Sequence, residues 1–433
     1  MGFVQNRVAG DRSSPPSLYG ADGVEAPVSA SARWHDRVDV AIVGGGITGL
    51  WTAYHLAAAG VQTALLEAHE IGHGASGRAF GQLVPYLKHD HRKIAADFGP
   101  GRGQALSDAV AAAPTEIAAF IERHQIACAA TRSGILIGAR SEAGRHWLEQ
   151  IASEQPDARM LHGADAAHRV GSEFYDAVLL DPRGLHVDPL AYARGLAHVA
   201  KAHGALIHPQ TRVEAVARSG SAWELRCGHR RLTADSVVIA TNAYSGDFWP
   251  KLARSIVPFL VHGAVTEPLS DAALARILPE GQPLTDTRRL YSGVRKFGKR
   301  LHVSIDGASF APGRSDPQLM VRKRLGELYP WLPTPRVTES WSGWIALTTD
   351  QYPHIHALAD RVFAGIGCNG RGLAMASLLG RDLAHLARGG SEADTIFPVT
   401  PLRSLPLHDA AALIVAIAAS AKRWLDRIDS ARH

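Results

Sequence analysis

Cysteine is scarce: 433 residues hold three, at positions 128, 227 and 368. Their wide separation excludes a disulfide framework and any zinc-ligand spacing, and a reducing compartment, the cytoplasm, fits best. A surplus of one charge is also missing. Lys and Arg total 46 against 41 Asp and Glu, and the net +5 is spread along the chain. A nucleic-acid partner therefore has little support. No apolar run is long enough to span a bilayer. The nearest, AAALIVAIAAS at 410–420, continues into AKRWLDRI and reads as one amphipathic C-terminal helix. Docking on the protein body is the favoured reading of that helix, and contact with a membrane surface the less favoured one. The start of the chain has neither the basic opening nor the apolar core of a signal peptide. Residues 1–36, with Pro15-Pro16 and several Ser and Gly, read as a disordered or surface-wrapped arm. The 22 histidines form no metal-binding spacing, and His354 and His356 read as turn residues.

What is present is concentrated at residues 38–67, VDVAIVGGGITGLWTAYHLAAAGVQTALLE. An apolar run over 38–42 suits a strand buried on both faces of a parallel sheet. A glycine turn follows with Gly44, Gly46 and Gly49 in G-x-G-x-x-G spacing. Leu50, Ala53, Tyr54 and Ala57 then share one helical face, and Gly60 ends the helix. A second strand over 62–66 ends in Glu67. Each part has a physical reason. Gly44 permits the tight turn, Gly46 lets a pyrophosphate approach the backbone, and Gly49 lets helix and strand pack closely. The helix start offers free N–H groups and a positive dipole end to phosphates, and a carboxylate at Glu67 suits ribose hydroxyls. Strand, turn, helix, strand and terminal acid together predict dinucleotide binding.

A second glycine-rich turn, IGHGASGRAFGQ over 71–82, leaves backbone open to wrap a ligand. Residues 102–125 read as one long helix with Pro114 as a kink or break, 135–137 as a strand and 141–154 as a helix. Asp188 and Pro189 are an N-cap and first position of a helix that Gly204 closes. Strands are predicted at 206–208, 211–217, 223–226 and 236–240, the last ending in Thr241-Asn242-Ala243. Ligands of doubly wound sheets sit beyond such strand ends. Strand character recurs at 255–265, 285–294 and 301–305.

DVAIVGGGITGLWTAYHL, GASGRAFGQ and VVIATNAY, with the later WSGWIALTTDQYP and GIGCNGRGLAM, resemble the D-amino-acid-oxidase-like FAD-dependent oxidoreductases. Within that family the chain is similar to the gamma-glutamylputrescine oxidase and glycine–sarcosine oxidase group. The likeness covers residues 18–407. It implies an α/β fold: a Rossmann-like FAD-binding domain with a substrate domain of mostly antiparallel sheet. The FAD-binding domain would comprise 37–125, 183–244 and 340–433, and the substrate domain 126–182 and 245–339. The resemblance implies that Gly44, Gly46, Ile47, Thr48 and Gly49 hold the FAD pyrophosphate and Glu67 the ribose. Ser76, Gly77, Arg78, Gly81 and Gln82 would contact the cofactor further along, Val213 would meet the adenine, and Ala240 would close the edge. Gly367, Gly370, Arg371, Gly372 and Leu373 would lie near the flavin. GRAFG departs from the family's GRNGG and sets Phe80 beside the ring. A tethering cysteine of some relatives falls near Gly343 here, so non-covalent FAD is expected; Cys368 is the lesser tether candidate.

The implied reaction is oxidation of an amine or amino acid at the carbon bearing nitrogen. The imine product hydrolyses, and oxygen or another acceptor takes the electrons. Arg289 and Tyr291, in TRRLYSG, are candidate substrate contacts, since Arg grips a carboxylate bidentately and Tyr offers a hydroxyl. A surface cation and a core tyrosine are the competing readings. Tyr244 and His262 are further candidates, and Lys296 is a candidate fixed charge for oxygen activation. Two other functions stay open: a same-fold dehydrogenase passing electrons to a quinone or protein carrier, and a flavin-binding subunit without turnover.

Overall fold

The computed structural model describes residues 17–21, 25–288, 292–306, 316–405 and 408. Two sheets dominate it, and the fold is α/β with a Rossmann-like unit, as the motifs imply. Five strands of the nine-stranded sheet run parallel, in the order Val362–Ile366, Arg230–Ile239, Arg37–Val43, Thr63–Leu66 and Leu206–His208. The Arg37–Val43 strand is central and almost wholly buried, which its near-continuous apolar run requires. One sheet face is covered by the helices Ile47–Ala58, Pro100–Arg123, Pro189–Ala202 and Gly372–Ala387, whose apolar sides share one core. The Ala215–Ser219 and Ala222–Cys227 hairpin extends the sheet from the Arg230–Ile239 strand.

Pro114 does not end its helix, which runs unbroken from Pro100 to Arg123 with Pro114 buried. Asp188 caps the Pro189–Ala202 helix as expected, accepting from the Leu190 and Ala191 N–H groups. His354 and His356 are not turn residues. Both lie on the His354–Ala359 strand, stacked at 5.5 Å, because the chain after Pro353 pairs with Val362–Ile366.

The eight-stranded sheet runs Val337–Leu347, Val257–Thr266, Arg300–Asp306, Ser292–Phe297, Leu284–Asp286, Ile135–Ala139, Ala177–Asp181 and Arg159–His162. Only Leu284–Asp286 and Ile135–Ala139 pair in parallel. The Val337–Leu347 strand crosses the expected boundary at 340, since it pairs with Val257–Thr266 along its whole length. The Pro317–Leu328 helix packs on one face of this sheet. The register decides what the other face carries. Thr285 pairs with Gly293, Gly293 with Ser304, Ser304 with Gly263, and Gly263 with Trp341. Partners across a ladder share a face, and so do residues two apart. One face therefore carries Ile137, Thr285, Arg295, His302, Ser304, Val261, Gly343 and Ile345.

The described part of the N-terminal arm is wrapped on the body. Glu25, Ala26 and Ser29 give backbone carbonyls to Arg194, His198 and Lys201, and Val28 is buried. Leu18 and Tyr19 are fully enclosed, packed with Leu190, Val265 and Trp341 between the two sheets' territories.

Candidate functional site

A cavity of about 890 Å³ runs from the first glycine turn to the second sheet. At one end stand Gly44, Gly46, Glu67, Arg212 and Val213; at the other stand Phe259, Val261, Thr285, Ser304 and Ile345. The first turn works as its spacing predicts. Gly44 holds φ +114°, and a Cβ there would meet the Ala240 carbonyl oxygen at 2.8 Å. The Ile47–Ala58 helix starts at Gly46 with no side-chain cap, and the Gly372–Ala387 helix starts at Arg371 likewise. Five other helices are capped by Asp90, Ser141, Asp188, Ser270 and Asp316, while Pro100–Arg123 and Gly163–Val170 also lack a side-chain cap but do not start at the cavity. Both cavity helices thus present N–H groups to what the cavity holds, the arrangement that binds phosphate and other electron-rich groups.

Glu67 is deeply placed. Its carboxylate accepts from the Gly45 N–H at 2.6 Å and the His69 N–H at 2.9 Å, and burial pushes its pKa up against those bonds. Gln82 borders the middle of the cavity, and its buried Nε2 has no hydrogen-bond partner. The donors and this orphan fit an elongated dinucleotide with polar groups along its length.

Fifteen of the predicted cofactor residues line the cavity: Gly44, Gly46, Ile47, Thr48, Glu67, Ser76, Arg78, Gly81, Gln82, Val213, Ala240, Gly370, Arg371, Gly372 and Leu373. Gly49, Gly77 and Gly367 do not. They build the turns from behind: an added Cβ would lie 2.0 Å from the Gly44 carbonyl, 2.4 Å from the Gly72 carbonyl and 2.3 Å from Thr348 Cγ2. The Gly367 N–H donates to Asn242 Oδ1, and Asn242 Nδ2 donates to Cys368 Sγ at 3.2 Å. Burial pushes the Cys368 thiol up, which favours its protonated form, although the residue lines the cavity.

The catalytic candidates separate. Tyr244 lines the cavity, and its hydroxyl accepts from the Trp344 N–H at 3.1 Å. His262 does not face the cavity. It sits between Val261 and Gly263, so it lies on the sheet's other face, where Nδ1 meets Ser342 Oγ at 2.7 Å. Burial lowers its pKa and keeps the ring neutral. Lys296 is turned away for the same reason, one residue out of register with Arg295. Arg289 and Tyr291 lie outside the described residues.

The reading from sequence missed the far wall: Ile137, Phe259, Val261, Thr285, Ser304, Ile345 and Leu347. Strand character is legible in the segments of Ile137, Phe259, Val261, Thr285 and Ser304, but not which face meets the cavity, and Ile345 and Leu347 lie in a family motif without a strand reading. It also missed Tyr19, whose hydroxyl reaches the Ala79 carbonyl at 3.0 Å, while Ser17 Oγ donates to the Gly77 carbonyl at 2.9 Å. Among the described residues no cluster of three His, Cys, Asp or Glu is placed to hold a metal, and no helix is long and apolar enough to cross a membrane.

Comparison with known proteins agrees with this geometry. The family model described as FAD dependent oxidoreductase matches residues 39–386. The gamma-glutamylputrescine oxidoreductase of Escherichia coli is 30% identical over 381 residues, covering 85% of this chain and 88% of that protein. The glycine oxidase of Bacillus licheniformis is 26% identical over 369 residues, covering 82% and 94%. Among solved structures, glycine oxidase from Geobacillus kaustophilus superposes with a TM-score of 0.70 at 22% identity, covering 86% of this chain and all of that one.

Proposed function

The chain belongs to the FAD-dependent oxidoreductase family, whose members oxidise amines and amino acids, and from that premise we propose its reaction. It oxidises a small amine or amino acid at the carbon bearing nitrogen, releases an imine that hydrolyses, and uses oxygen as the electron acceptor. The bound FAD supplies the two-electron acceptor for that carbon–hydrogen bond. The FAD-binding part and the substrate part alternate along the chain, with the catalytic chamber where the second sheet meets the cofactor cavity.

The observation that carries this reading is the continuity of the cavity. Its apolar end, walled by Phe259, Val261, Ile345 and Leu347, opens directly onto the turns at Gly81 and Gly370. Such a wall excludes water and disfavours a charged ammonium, because an unpaired cation is costly in apolar surroundings. Thr285 and Ser304 offer neutral hydroxyls on the same face. Asp286 lines the cavity beside Thr285, and its Oδ2 accepts from Arg288, Arg324 and Tyr175. With that carboxylate paired to two guanidinium groups, it offers little counter-charge to an ammonium, and the amine enters unprotonated with no strong general base at this wall. kcat/KM then rises with pH through the free amine's own pKa.

The raised thiol of Cys368 and the glycine at 343 support non-covalent FAD. Acid precipitation should leave a colourless pellet. The deciding experiment is an anaerobic screen of amines and amino acids that follows flavin bleaching, repeated under air with peroxide measured. Bleaching with peroxide supports the proposal. Bleaching without peroxide replaces oxygen by a quinone or protein acceptor, and no bleaching by any amine overturns it.

A further inference from the structure

Behind the second glycine loop lies a buried cation that the functional reading leaves unused. Arg295 is 3% exposed. Its Nη2 donates to the Tyr19 hydroxyl at 2.8 Å and its Nε to His302 Nδ1 at 3.3 Å. Three rings surround the guanidinium, those of Tyr19, Phe80 and Phe297, at 5.7, 5.8 and 5.7 Å. Among the described residues no carboxylate is in ion-pair reach of it. Asp188, which feels the Arg295 charge, has Oδ1 committed to the Leu190 and Ala191 N–H groups. A buried charge without a counter-ion costs several kcal/mol as an order of magnitude, and a ligand that brings negative charge offsets it.

The position of this cation is specific. A Cβ at Gly81 would lie 3.1 Å from Arg295 Nη2, so the missing side chain is what lets the guanidinium sit against the loop backbone. Gly81 and Phe80 both line the cavity. Arg295 also shares its sheet face with Ser304 and Thr285, which line the apolar end of the cavity rather than the adenosine end. Tyr19 holds the assembly together. Its hydroxyl joins Arg295 to the Ala79 carbonyl, and its ring meets Phe297, His302 and Trp341 edge-on.

We propose that Arg295 is a positioning residue for the flavin: a fixed positive charge behind residues 79–81 that favours reduced over oxidised cofactor, anchored by Tyr19 of the N-terminal arm. The inference rests on the FAD reading of the cavity. Uptake of two electrons and one proton leaves one net negative charge, and a nearby fixed cation stabilises it. The reduced form therefore binds more tightly than the oxidised form by whatever the charge contributes.

The test compares wild type, Arg295→Met, Arg295→Lys and Tyr19→Phe as FAD-loaded full-length proteins. The two-electron midpoint potential and the affinity for oxidised FAD are measured separately. In Arg295→Met the ratio of reduced to oxidised FAD affinity should fall about tenfold, which is a potential lower by about 30 mV. Arg295→Lys should keep the wild-type potential, and Tyr19→Phe should show a smaller fall, about threefold in the same ratio. A wild-type potential in flavin-loaded Arg295→Met overturns the proposal. So does a loss of FAD affinity at unchanged potential, because the charge then serves the pyrophosphate. If Arg295→Met does not load FAD, Tyr19→Phe decides: a lower potential supports the proposal and a wild-type potential overturns it. A wild-type protein that takes up no FAD would instead remove the functional reading on which the inference stands.

Discussion

The two glycine loops on the cavity are built in opposite ways. The first, residues 43–49, is held mostly by backbone packing at the strand ends, with one side-chain bond from the second loop, where Ser76 Oγ accepts from the Ile47 N–H at 3.1 Å. Gly44 accepts no side chain against Ala240, Gly49 packs on the Gly44 carbonyl, and the flanking strand is paired on both edges. The second, residues 72–81, is held from far away. Ser17 and Tyr19 bind its carbonyls, Trp341 Nε1 donates to the Arg78 carbonyl at 3.1 Å, and the Val187 N–H donates to the Gly81 carbonyl at 2.9 Å. The first loop is a compact backbone motif, set by the strand ends and helix packed directly around it. The second is a meeting point of four distant segments, and its shape depends on all of them. On the proposed placement of FAD, the end where the chemistry occurs is thus the end under tertiary control.

The contrast is open to direct attack. Gly49→Ala forces a Cβ to 2.0 Å from the Gly44 carbonyl oxygen, a backbone atom that cannot swing aside. It should cost about 3 kcal/mol or more and leave the purified protein without flavin, as absorbance and thermal unfolding would show. Tyr19→Ala empties a fully buried site and should cost about 3 kcal/mol. Its sharper readout is selective: FAD affinity falls while ADP, which needs only the first loop, binds as in wild type. Parallel losses of both ligands would mean that the loops are not separately supported. Trp341→Phe removes one donor to the second loop and should cost about 1 kcal/mol, read as a lower urea midpoint with ADP binding unchanged.

The smallest effect near neutral pH comes from histidine. Burial, then the Arg295 charge, lowers His186 from its ordinary value to about 3, and the same causes hold His302 well below its own. Both rings stay neutral in the fold while the unfolded chain protonates near pH 6.5. Stability is complete above that pH and is lost as pH falls toward 3, at no more than about 1.4 kcal/mol per pH unit for each ring. His186→Asn should flatten the acid limb of a stability–pH curve by one proton and leave the neutral region unchanged. An unaltered slope would show that His186 takes its proton in the folded state.

Much of the first loop was legible because its information is local. Apolar run, glycine spacing, helical face and terminal Glu67 lie within one stretch, and each element follows from its own residues and near neighbours. The capping Asp188 and the Pro189 start were legible for the same reason. Pro114 shows the limit even for local signals, since the packed helix runs through it.

The family motifs also named the cavity-lining backbone at Ser76 and Gly370 before any contact was known. The substrate wall was not legible, because strands expose alternate residues and nothing local says which set faces inward. Lys296 and Arg295 are the clearest case. Both are basic neighbours on one strand, and the cation against the flavin loop is decided by pairing with Leu301 and His302 on the next strand. Tyr19 is another: an arm of low pattern content supplies a buried hydroxyl through contact with residues 60 and 283 positions away. The glycine code for holding a dinucleotide was written along the chain. The charge and shape presented to the reacting end came only from register and long-range packing, which bring together residues that no short stretch contains.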